Sequence, residues 1–170
     1  MALATLGLLA GCVAPRQAPP PAPPPAPPPP PPASVSLPAS TDWRDIPLTP
    51  GGWSYSSEPG GSAARFGPAG APLFIARCEL TTRMVTLSRE NAAPAEAPLI
   101  DVTTSAGRQS FRAQPLSGRR SVAATVAARD TFLDKMAFSR GRIVVAVSGT
   151  ERLVMPSWPE FGRVVEDCRG

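Results

Sequence analysis

The side chains best suited to chemistry in this chain are three thiols, at Cys12, Cys78 and Cys168, because the sequence contains no histidine. Without an imidazole, the Ser-His-Asp and Cys-His relays cannot be assembled, and every histidine-bearing zinc set is excluded with them. A serine nucleophile served by lysine would need the single lysine, Lys135, three residues after a serine, but that place holds Phe132. No GxxxxGK phosphate loop or GxGxxG turn occurs, and the pairs Gly51-Gly52 and Gly60-Gly61 read as turns. Two acids about 5 to 9 Å apart would suffice for a glycosidase, so paired carboxylates remain the alternative route to an enzyme. Glu166-Asp167 is the only adjacent acidic pair. Neighbours on a helix diverge, so these acids read as exposed partners of Arg163 and Arg169. The expectation is a non-enzymatic chain with no metal site and no cofactor.

Two other segments stand out, Phe138-Ser139-Arg140-Gly141-Arg142 and the run from Leu153 to Glu160. Together they could form an exposed binding rim, with Trp158 as aromatic anchor and Arg140 or Arg142 as charged contact. The competing reading, which weighs more, makes them a turn and a helix cap with Trp158 in the core. The net charge is +4, and all 17 basic residues except Lys135 are arginines. Arginine suits carboxylate and phosphate, as in anionic lipid or an anionic polymer. A GC-rich coding composition explains the bias more simply. Arg119-Arg120 is the densest basic run, too little for nucleic-acid binding.

The elements that must position these residues read as mainly β. Short alternating or β-branched runs separated by turn residues fall at 52–56, 63–66, 73–80, 83–88, 99–104, 110–113, 122–126, 142–147 and 152–155. This is the pattern of a small antiparallel sandwich or barrel. In the third run Phe74, Ala76 and Cys78 share one face, while Leu73, Ile75 and Arg77 share the other. A short internal helix is expected from Thr131, with Asp134 three residues on as a capping box, ending by Gly141. A C-terminal helix should follow Ser157-Trp158-Pro159-Glu160, with proline in its first turn. Trp158, Phe161, Val165 and Cys168 would then form its docking stripe, bringing Cys168 toward Cys78.

Residues 1–11 are an uncharged apolar run, far shorter than the roughly 20 residues a membrane-spanning helix needs. It ends in Leu9-Ala10-Gly11-Cys12, which resembles the lipobox of bacterial lipoproteins. The resemblance implies a signal peptide cut before Cys12, a diacylglycerol on its thiol and palmitate-type acylation of the new amino terminus. Two or three acyl chains would anchor the protein durably, each buried methylene contributing about 0.8 kcal/mol. No positively charged segment precedes the apolar run, and a start codon further upstream is the expected reason. Residues 12–40 follow as a linker, nearly all proline and alanine from Pro15 to Pro32. Such a tract is expected to be a disordered polyproline II tether, rising about 3.1 Å per residue. The globular domain is placed at 41–170.

If lipid consumes Cys12, the lipoprotein resemblance leaves Cys78 and Cys168 in an oxidising space, where two remaining cysteines usually pair. The alternative is two buried reduced thiols. The stretch from Phe138 to Cys168, with FSRGR, LVMPSWPEF and RVVEDCR, resembles uncharacterised alphaproteobacterial lipoproteins that share a two-cysteine domain. A weaker resemblance is to the invasion-associated locus B proteins, from which no functional residue is carried over. The implied function is a cell-envelope lipoprotein facing the periplasm, binding an envelope protein or polymer or bracing an assembly. Val13 after the lipidated cysteine favours the outer membrane. The alternative binding class is a periplasmic inhibitor of lysozyme type, although the Ser-Gly-x-Tyr pattern of such inhibitors is missing.

Overall fold

A computed structural model describes residues 42–93 and 96–170. Cys12, the leader at 1–11 and the linker at 12–40 lie outside the described residues. The described part belongs to one compact unit, Pro38–Gly170. In chain order its elements are β1 (Gly52–Glu58), β2 (Gly61–Gly67), β3 (Phe74–Glu79), β4 (Met84–Glu90), β5 (Leu99–Thr104) and β6 (Gly107–Arg112). There follow β7 (Gln114–Pro115), β8 (Ser121–Ala127), α1 (Thr131–Ala137), β9 (Arg142–Ala146), β10 (Leu153–Pro156) and α2 (Pro159–Arg169).

The strands form two antiparallel sheets, one of six in the order β1-β2-β3-β4-β8-β7 and one of four in the order β10-β9-β5-β6. Mainly β with two helices, one of them C-terminal, is the architecture that the alternating runs predict. Period-two patterning decides which face of the larger sheet is buried. Cross-strand rows run Trp53, Phe66, Phe74 and then Ala64, Ala76, Leu87, Ala124, all of them buried. From the smaller sheet come Ile100, Val102, Phe111, Ile143, Val145, Leu153 and Met155, in the same core cluster.

Helix α2 lies on β1 to β4 and against α1. Its buried stripe is Phe161, Val164, Val165 and Cys168, and the small side chains of Ala64 and Ala76 let it approach the sheet. At one end Phe161 joins an aromatic nest around Trp53, whose ring centroid is 5.4 Å from Phe66, 6.2 Å from Phe74 and 6.4 Å from Phe161. The Trp53 indole N–H donates to the carbonyl of Pro156, 2.8 Å away, so one side chain ties β1 to the end of β10. At the other end Cys168 and Cys78 stand at disulfide distance with Cα atoms 5.4 Å apart, inside the usual bridging range. The guanidinium of Arg83 donates to the Cys168 carbonyl at 3.2 Å, placing a cation at the helix C-terminus, where the dipole favours one.

Several boundaries differ from the sequence reading for local reasons. Arg83, expected to open a strand, has φ +56° in the turn before β4. Strand β7 escapes the alternating pattern because it is two residues long and contains Pro115, a form typical of a blunted sheet edge. Strand β2 opens earlier than expected, at Gly61, where the close Cys78 carbonyl leaves no room for a Cβ. Before β1, Thr49 covers the edge of β10: its N–H donates to the Val154 carbonyl and its hydroxyl accepts from the Val154 N–H.

The Cys78 and Cys168 pair closes a separation of 90 residues, which in the chain-entropy argument is worth about 4 to 5 kcal/mol. Replacing both cysteines by alanine is expected to lower the unfolding free energy by about 3 to 5 kcal/mol, read from urea titrations of the oxidised protein. An unchanged urea midpoint would show that α2 is held by packing alone.

Candidate functional site

Helix α1 starts at Thr131 as expected, but its cap is different. Asp130 is the N-cap, its carboxylate accepting the Phe132 N–H at 2.8 Å. Asp134 turns instead to Arg169 on α2, 2.7 Å away, a partly exposed pair. Phe132, Leu133 and Met136 are buried. Phe138 is the C-cap of α1, outside the helical repeat with φ −103° and ψ 18°, and 75% of its surface is exposed.

The segment presenting Phe138 is pinned from both sides. Ser139, only 5% exposed, accepts the Ser105 N–H at 3.0 Å and donates to the Arg142 carbonyl at 2.7 Å. The Ser105 hydroxyl accepts the Arg140 N–H at 2.8 Å. These bonds fasten the loop after α1 to the turn between β5 and β6. The guanidinium of Arg142 donates to the Ile46 carbonyl, tying the start of β9 to the segment before β1.

At α2 the expected capping box is absent. The N-cap is Trp158 in an extended conformation with no side-chain cap, and the Ser157 hydroxyl donates to the Ala137 carbonyl at 3.4 Å. Trp158 is 47% exposed, which corrects the reading of a core tryptophan at the head of the docking stripe. An N-cap residue lies outside the helical repeat, so spacing counted from Phe161 does not bring it onto the buried face.

Two shallow grooves meet at Phe138. The first, about 940 Å³, runs along α2 past Trp158, Glu160, Arg163 and Glu166 to Tyr55. The hydroxyl of Tyr55 donates to Asp167 at 2.8 Å, and Arg163 covers its ring at 4.0 Å from the centroid. Asp167 and Arg169 are thus engaged with Tyr55 and Asp134, not with each other. The second groove, about 780 Å³, is lined by Trp43, Arg44, Ser105, Arg140 and Arg142. Beside it, the Arg44 N–H bonded to Asp42, together with its guanidinium, holds that carboxyl below its ordinary value. The structure therefore brings Trp158 to one groove and Arg140 and Arg142 to the other. Phe138, left out of the rim as an anchor, joins them.

Two charged clusters elsewhere have structural partners. On the outer face of the larger sheet Glu58 accepts from Arg65, Arg77 and Ser56. The Arg65 hydrogen bond depresses the Glu58 pKa most, partial burial opposes it, and Ser56 and Arg77 add to the lowering. Arg89, 5% exposed, donates to the carbonyls of Leu73, Glu90 and Glu151, and burial pulls its pKa down. Among the described residues no group of three His, Cys, Asp or Glu could hold a metal ion, and no helix is long and apolar enough to cross a membrane. Compared with family models, curated proteins and solved structures, the chain has no match.

Phe161→Ala should cost about 3 to 5 kcal/mol, the range for a buried phenylalanine, whereas Phe138→Ser should change stability by no more than about 0.5 kcal/mol. Urea titration of both variants checks this, and equal losses would place Phe138 in the core. Because the folded pKa of Glu58 lies below 4.5, its stabilisation is present above that pH and lost as pH falls through the folded value. Glu58→Gln should therefore be less stable than wild type at neutral pH, with the gap closing in acid. A gap independent of pH would dismiss the charge as its source.

Proposed function

We propose that this chain is a lipid-anchored protein of the bacterial cell envelope whose folded part acts without catalysis, binding or bracing another envelope component. Cys12 carries the lipid, the proline-rich linker at 12–40 holds the domain away from the bilayer, and the outer membrane is the favoured site. The Leu9-Ala10-Gly11-Cys12 pattern supports the anchor. The Cys78 and Cys168 pair supports an oxidising compartment, since such bridges persist outside the cytoplasm and are rare within it.

The observation that carries the binding role is Phe138, three-quarters exposed on a loop whose neighbours are hydrogen-bonded in place. Burying such a side chain is worth about 1.5 to 3 kcal/mol, and Phe138 forgoes most of that in the isolated domain. Trp158 lines the same groove. Aromatic side chains and arginine are enriched among the residues that anchor protein interfaces.

For the anchor, wild type should incorporate labelled palmitate and partition into detergent, while Cys12→Ser should do neither and should retain its leader. Equal mass and partitioning in the two would refute lipidation. For the face, crosslinking in intact envelopes should yield adducts from wild type that Phe138→Ser loses, and an unchanged adduct pattern would refute its role.

A further inference from the structure

The face centred on Phe138 is complementary to itself. Along α2 its first groove presents Asp134, Glu160, Glu166 and Asp167 against Arg163 and Arg169, four carboxylates to two guanidiniums. One carboxylate oxygen of Glu160 is buried without a hydrogen-bond partner. The second groove presents Arg44, Arg140 and Arg142. With Arg44 paired to Asp42, Arg140 and Arg142 leave an excess of two positive charges, matching the excess of two negative ones beside it. Phe138 lines both grooves.

We propose that this face is the contact surface of a symmetric dimer, with Phe138 of each copy near the two-fold axis and the cationic groove of one copy over the acidic groove of the other. The proposal rests on the reading of the Phe138 and Trp158 face as an interaction surface, and it names the partner. A uniformly acidic or basic partner would satisfy one groove and be repelled by the other. A second copy turned through a two-fold axis satisfies both at once, because an isologous contact pairs each residue with its counterpart's complement. The extent is adequate: 14 residues line the first groove and 8 the second, close to the roughly 20 to 30 per side of a standard interface. The hydrogen bonds through Ser105 and Ser139 fix the loop beforehand, so little ordering entropy opposes docking.

Sedimentation equilibrium of the full chain in density-matched detergent tests this. Wild type should be a dimer at about 100 µM, a concentration at which even a weak interface of standard size associates. Phe138→Asp should be monomeric with an unchanged urea midpoint. Arg140→Glu and Glu166→Arg should each weaken the dimer by about tenfold or more, ~1.4 kcal/mol, and the double variant should regain most of the loss. A monomeric wild type overturns the proposal, as does a dimer indifferent to Phe138→Asp. If wild type is monomeric yet its envelope crosslinks still depend on Phe138, the face binds a different protein; the dimer then fails while the reading of the face survives.

Discussion

The fold depends on one seam, where α2 lies across the inner face of the larger sheet. Trp53, Phe66, Phe74 and Phe161 fill one end of it, and the Cys78 and Cys168 pair closes the other. Each end compensates for what the other lacks. The aromatic nest excludes water but would allow the helix to pivot, whereas a bridge fixes one point and contributes little packing. The Trp53 N–H to Pro156 bond extends the seam to the smaller sheet. The start of α2 is thereby fixed immediately before Trp158, and the candidate face inherits its geometry from the core.

How much of this is legible in the sequence varies with the period of the pattern. Phe74, Ala76 and Cys78 alternate cleanly, and their burial follows from counting by two. Phe161, Val165 and Cys168 recur at helical spacing and are buried as that spacing requires. The same count, carried past the start of the helix, misplaces Trp158. The two cysteines can be brought together by argument, since one lies on a strand's apolar face and the other on a helix's apolar stripe. Partners set by tertiary position cannot: nothing in sequence distance joins Tyr55 to Asp167 or Arg169 to Asp134. The face itself is half legible. Its arginines and tryptophan lie in two unusual segments, whereas the exposure of Phe138, a C-cap outside the helical repeat, is set by tertiary position.

Arginine carries the basic charge of this chain, and the structure shows what that choice allows. Arg89 serves three carbonyls at 5% exposure, Arg83 ends α2, Arg142 ties the start of β9 to the segment before β1 and Arg163 stacks on Tyr55. A planar, weakly hydrated guanidinium can do each of these, whereas the ammonium of lysine offers a compact point charge with a strong hydration shell. Compositional bias and structural use are therefore compatible. The fold has places where lysine would fit poorly.

Phe138 stands in contrast to the residues around it. A small domain has few apolar side chains to spare, because the fraction of surface it buries rises with size. Phe138 nevertheless stays in solvent, on a loop that hydrogen bonds through Ser105 and Ser139 hold in place. A solvated phenylalanine on a mobile loop is ordinary, since it samples contact with whatever surface lies near. Held beside a half-exposed tryptophan, it has little such freedom, and the solvated ring is a cost that the monomer alone does not recover. That cost is offset where a second surface covers the ring, which makes the pinned loop, more than the exposure alone, the argument for an interface at this face.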